Sequence, residues 1–177
     1  TENTYIAYDE RDLGRKGQHK INGYAISDNY ENVDLFISIF NNKQDICSIS
    51  KPEIDTAVKR ISNFFRKAIY NEYVNEIAES SEIFEFADTL ANYGELKENL
   101  IRVNAFILTN GQYKGDIPAS QSISGYTVFY RIIDIDFLYK ISEQSRIPIE
   151  LDFDNLDGER FEIPCLAANI ENPDYEA

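Results

Sequence analysis

Lys20-Ile21-Asn22-Gly23-Tyr24-Ala25-Ile26-Ser27-Asp28 and, one turn later, Val33-Asp34-Leu35-Phe36-Ile37-Ser38-Ile39-Phe40 decide the fold. The second run is polar only at Asp34 and Ser38. So continuous an apolar stretch predicts a strand buried on both faces. Asn29-Tyr30-Glu31-Asn32 reads as the turn between the two. Upstream, Thr4-Tyr5-Ile6-Ala7-Tyr8 is a third strand, with a charged, Gly-containing turn over 9–18. Three strands joined by short turns predict an antiparallel meander.

The next signal is helical. Ser50-Lys51-Pro52-Glu53 is a capping box with Pro in the first turn. The helix is predicted from Pro52 past Tyr70. At 100° per residue Ile54, Ala57, Val58, Ile61, Phe64, Phe65, Ala68 and Ile69 share one face. Lys59, Arg60, Arg66 and Lys67 fall on the opposite face, as a solvated surface or a phosphate-binding patch. A second helix starts at Ser80-Ser81-Glu82 and ends near Gly94. Arg102 to Thr109 reads as a strand closed by Asn110-Gly111, 111–124 as a loop, and Tyr126 to Ile132 as a strand. Asp134 or Asp136 caps a short helix through Leu138 and Ile141. Ile149 to Phe153 and Phe161 to Ile163 complete the strands. The order predicts an α+β fold: a mixed sheet, its N-terminal meander flanked by helices.

Composition narrows the class. The 177 residues carry 17 Lys and Arg against 31 Asp and Glu, a net charge of −14. The length fits a single domain over 1–177. Apolar residues at 43% and aromatics at 13% exclude a disordered chain. No apolar run approaches the ~18–20 residues that cross a bilayer. Without a secretory signal, and with only two distant cysteines, Cys47 and Cys165, a cytoplasmic protein is expected. Neither Cys has the close Cys or His neighbours that zinc requires. Residues 134–177 hold twelve acids and three bases, a surface that repels phosphate backbones. Nucleic acid could then bind only through the basic helix face. Asp152 to Gly158 resembles a calcium loop but lacks its sixth-position Gly and twelfth-position Glu. With no Met even at position 1, a piece of a longer protein is expected.

Readable catalytic machinery is sparse. There is no Gly-x-Ser-x-Gly, Walker loop or His-Glu-x-x-His. The one histidine, His19, sits in a basic, turn-like context and reads as a surface residue. One constellation needs weighing. Metal-dependent nucleases built on a three-strand meander put an acid on one strand and an acid-x-Lys pair on the next; the acids hold a divalent ion. Here Asn22 stands at the first position, and Ile37 and Ile39 at the other two. Isoleucine binds no metal and moves no proton. Asp28 and Asp34 are the acids left nearby. No catalytic, metal or cofactor-binding residue is therefore assigned, and no cofactor is expected.

Gly23 to Asp28, Asp34 to Phe40 and Arg60-Ile61-Ser62-Asn63-Phe64-Phe65 together resemble the N-terminal region of the AIPR proteins, a bacterial family named for abortive infection and phage resistance. The similarity continues through Phe106 to Gly111, Ile133 to Tyr139, Pro148 to Phe153 and Ile163 to Leu166. The resemblance implies a role in phage defence, a place at the N-terminus of a longer protein, and a restriction-endonuclease-like core. Against that core Asn22, Ile37 and Ile39 depart from the nuclease pattern. The expected function is a non-catalytic binding or sensing domain, holding a protein partner or a phage component. An active metal-dependent nuclease and a structural or self-associating module are the alternatives.

Overall fold

A computed structural model describes residues 3–11, 17–43 and 45–143. Strands β1 (Thr4–Arg11), β2 (His19–Ile26) and β3 (Asn32–Ile39) come first. Helices α1 (Lys51–Ala68), α2 (Asn71–Val74), α3 (Phe84–Asn92) and α4 (Gly94–Asn99) follow. Strands β4 (Arg102–Thr109), β5 (Gln121–Ile123) and β6 (Tyr126–Ile133) and helix α5 (Ile135–Glu143) close the series. The six strands form one mixed sheet in the order β1-β2-β3-β4-β6-β5. β1, β2 and β3 pair antiparallel, as the expected meander. β4 lies parallel to β3, and β6 parallel to β4. The run of helices after β3 supplies the crossover that a parallel neighbour requires.

α1 holds this sheet. Glu53 accepts hydrogen bonds from the Ser50 N–H at 2.8 Å and the Ser50 hydroxyl at 2.6 Å, fixing the first turn. These bonds, the hydroxyl's first, hold the Glu53 carboxyl below its usual range. All eight residues of the expected apolar face are buried, with Phe64 and Phe65 at 0% exposure. Burying each such ring contributes about 1.5–3 kcal/mol. They meet Val33, Leu35 and Ile37 of β3, Val103, Ala105 and Ile107 of β4, and Val128 and Tyr130 of β6. Every second residue of each strand faces this core, the period-2 pattern of a sheet. The intervening residues make the other face. There Asn104 donates to Asp34 at 2.7 Å, and Phe36 stacks on Phe106 with ring centroids 5.2 Å apart.

Several boundaries differ from expectation. The turn predicted over 9–18 begins later, because β1 runs on to Arg11 through a register shift between Ile6 and Asp9. α1 stops at Ala68, and Tyr70 caps α2 instead of continuing α1. α3 starts at Phe84, and α4 is a separate turn after Tyr93. The stretch 111–124 is not all loop: β5 pairs with β6 through Ser124 and Gly125, both at positive φ (52° and 89°). Two such residues make the tight turn that suits strand twist. β3 is flanked on both edges, but Phe36 and Ser38 on its second face are only half-buried. The strands expected beyond residue 148, and Cys165, lie outside the described residues.

Candidate functional site

The structure sets Asn22 of β2 beside Ser38, the residue between Ile37 and Ile39 of β3. The β2–β3 ladder runs from Ile26↔Val33 to Gly23↔Phe36. Beyond it, side chains of β2 take over the backbone of β3. Asn22 Oδ1 accepts the Ser38 N–H at 2.8 Å, and Lys20 Nζ donates to the Ser38 carbonyl at 3.2 Å. Gly23 is required just here, because a Cβ would stand 2.7 Å from the Tyr5 carbonyl oxygen of β1. Ile37 and Ile39, either side of Ser38, line a groove of about 430 Å³ with Lys20, Glu53 and Arg60. Ile37 points into the core at 1% exposure. Arg60 pairs with Glu10 at 2.6 Å. Glu53, the carboxylate of the groove, is engaged by Ser50. The groove is thus amphipathic, and each of its charged groups already has a polar partner inside the fold.

Asp28 and Asp34 are not brought to this groove. Asp28 is exposed beside the β2–β3 turn, near Tyr30 and Glu85. Asp34 is buried and bonded to Asn104. Among the described residues, no group of three or more His, Cys, Asp or Glu side chains could hold a metal ion. No described helix is long and apolar enough to cross a membrane.

His19 overturns its reading as a surface residue: it is 0% exposed. The register shift in β1 sets Asp9 diagonally across from it, where long side chains meet. Its Nε2 lies 2.6 Å from Asp9 Oδ2, and the Tyr73 hydroxyl donates to the same oxygen. Lys67 Nζ lies 3.2 Å from Nδ1 and donates to the Gly17 carbonyl at 2.9 Å. An ammonium group only donates, so Nδ1 is the acceptor and Nε2–H donates to Asp9. Burial pushes the Asp9 carboxyl up, but hydrogen bonds from His19 and Tyr73 and the nearby positive charge of Arg11 together leave it below the usual range. Burial, then the bond to Asp9, pushes the Tyr73 phenol up, so it stays a donor. The cluster ties the β1–β2 hairpin to α1 and α2.

These contacts also revise the basic helix face. Lys67 and Arg60 turn toward the hairpin and are half-buried in its polar contacts. Lys59 and Arg66 remain exposed, and with Lys51 they line a separate cleft of about 700 Å³. The sequence offered no sign of this division, because residues distant along the chain cause it.

The fold defines a mixed α+β domain: an antiparallel meander, a helical crossover and a parallel half-sheet. Ile37 and Ile39 line a groove beside the meander, and the Asn22 amide is bonded to the β3 backbone between them. The chain belongs to the family described as abortive infection phage resistance protein N-terminal domain, whose model matches residues 1–140 of the 177. No curated protein and no solved structure matches the chain.

Proposed function

We propose that this domain serves phage defence as a non-catalytic binding domain on a restriction-endonuclease-like sheet, within a longer protein. The observation that carries this reading is the use made of Asn22. Its amide oxygen is spent on the backbone of β3, at the position where a working centre would carry a metal-holding carboxylate. The neighbouring Ile37 and Ile39 offer no oxygen and no ammonium group. The test combines calorimetric titration with manganese and incubation with single- and double-stranded DNA and RNA. Neither saturable ion binding nor cleavage is expected. One ion bound per chain, with cleavage lost in Asp28→Ala or Asp34→Asn, would overturn the reading in favour of an active nuclease.

The self-associating alternative has one observation behind it. α5 displays Phe137, Leu138, Tyr139 and Ile141 at 46%, 48%, 60% and 57% exposure. Light scattering across a concentration series separates the two: a concentration-dependent oligomer favours the module, and a constant mass favours a foreign ligand.

A further inference from the structure

A cleft of about 700 Å³ lies away from the meander groove, between the outer side of α1 and residues 113–121. Positions 51, 55, 59, 62 and 66 recur at three- and four-residue spacing, so they form one stripe. At ~1.5 Å rise per residue the stripe is about 22 Å long. It carries three cations, Lys51, Lys59 and Arg66. Among the described residues none of the three is in an ion pair. Asp55 lies one turn from both lysines yet pairs with neither, and Arg66 donates only to Asn63 Oδ1, at 2.8 Å. In a chain of net charge −14, a wall on which three cations outnumber a single acid, Asp55, stands apart from its surroundings.

The opposite wall is braced. Gly111 sits where a Cβ would come within 2.6 Å of the Ile49 side chain. Gln112 N–H donates to the Cys47 carbonyl, and Ile49 N–H to the Gln112 carbonyl, both at 2.8 Å. Asp134 accepts the Tyr113 N–H at 3.1 Å, and the Tyr113 hydroxyl donates to the Asp116 carbonyl at 3.1 Å. Gly115 leaves room for that ring, since a Cβ there would stand 2.3 Å from the Tyr113 oxygen. The wall presents the Asp116 carboxylate together with apolar Ile117 and Pro118.

We propose that this cleft binds a nucleoside phosphate. Its volume lies in the range of small-molecule sites, roughly 300–1,000 Å³. The donor-rich stripe suits phosphate oxygens. Asp55 and Asp116 would repel a bare anion, but they accept hydrogen bonds from ribose hydroxyls and base N–H groups. Ile117 and Pro118 offer an apolar surface to a base. One ligand class carries all three chemistries together. This inference rests on the binding-domain reading and names the ligand for it.

The test is calorimetric titration of the whole 177-residue chain with each of the common nucleoside diphosphates. Inorganic phosphate and a single-stranded oligonucleotide serve as comparators. At least one diphosphate binds at a single site, and inorganic phosphate binds at least about tenfold more weakly. Lys59→Ala and Arg66→Ala each weaken binding by about tenfold or more, the usual effect of losing a charge-assisted hydrogen bond. Both side chains are exposed, so unchanged circular dichroism confirms that the variants fold. Binding by none of the diphosphates, binding untouched by either substitution, or binding by the oligonucleotide alone would overturn the proposal. Such a failure leaves the non-catalytic reading standing, whereas metal-dependent cleavage sinks that reading whatever the nucleotide titration gives.

Discussion

Replacing His19 with Ala tests whether the buried cluster is the clasp between the hairpin and the helices. The substitution removes the Nε2–H donor to Asp9, at 2.6 Å. A hydrogen bond to a charged group contributes about 1.5–3 kcal/mol. It also removes ring contacts with Phe64 and Tyr73, whose centroids lie 5.9 Å and 5.4 Å away. Each aromatic pair adds about 0.5–1.5 kcal/mol. Lys67 loses its acceptor at Nδ1 but keeps the Gly17 carbonyl, so little is added there. The expected loss is about 4 kcal/mol, a large share of the ~5–15 kcal/mol that holds a domain together. At about 2–4 °C per kcal/mol for a chain this long, the melting temperature falls by roughly 8–16 °C. Urea unfolding at pH 7, followed by far-ultraviolet circular dichroism, measures the loss. Tyr73→Phe is the graded control: it deletes one hydroxyl from the same carboxylate, keeps the ring, and costs about 1.5–3 kcal/mol. The double variant should lose less than the two losses combined, because both donors serve one oxygen. A His19→Ala loss below about 1 kcal/mol, the size of an ordinary surface change, would refute the clasp.

Phe86→Ala should cost about 3–5 kcal/mol, since the ring is 1% exposed and stacks on Tyr24 at 3.9 Å; the same urea titration measures it. Gly23→Ala should destabilise by more than a surface change and shift the β1–β2 amide resonances, because the added Cβ meets the Tyr5 carbonyl oxygen at 2.7 Å. Asp9 holds a depressed carboxyl, so its contribution is complete above the unfolded value near pH 4 and is lost as pH falls through the lower folded value. Stability should therefore decline below about pH 4, less steeply in Tyr73→Phe than in the parent chain. An unchanged slope would remove Asp9 from the account.

The parts of this fold that were legible were those set by local pattern. β4 matches its sequence reading because Val103, Ala105 and Ile107 alternate with less buried neighbours between Leu100 and Asn110. α1 was legible because its capping box and its apolar face agree. The β5–β6 hairpin does carry a local signal: Ser124-Gly125 between Ile123 and Tyr126 is a two-residue turn flanked by strand formers. His19 left almost none. Gly17-Gln18-His19-Lys20 is polar, and burial is imposed by Asp9 across a shifted register and by Tyr73, 54 positions away. The same distant contacts decide which cations of α1 remain exposed. A helical wheel places Lys59, Arg60, Arg66 and Lys67 together, but it contains no information on which flank of the helix another element will occupy. The hairpin takes Arg60 and Lys67, the 113–121 wall stands over Lys59 and Arg66, and Lys51 joins that pair from the first turn. One basic face thus becomes a clasp on one flank and a cleft on the other. Substitutions on the two flanks should separate accordingly: Lys67→Ala lowers stability, whereas Lys59→Ala lowers ligand affinity with stability unchanged.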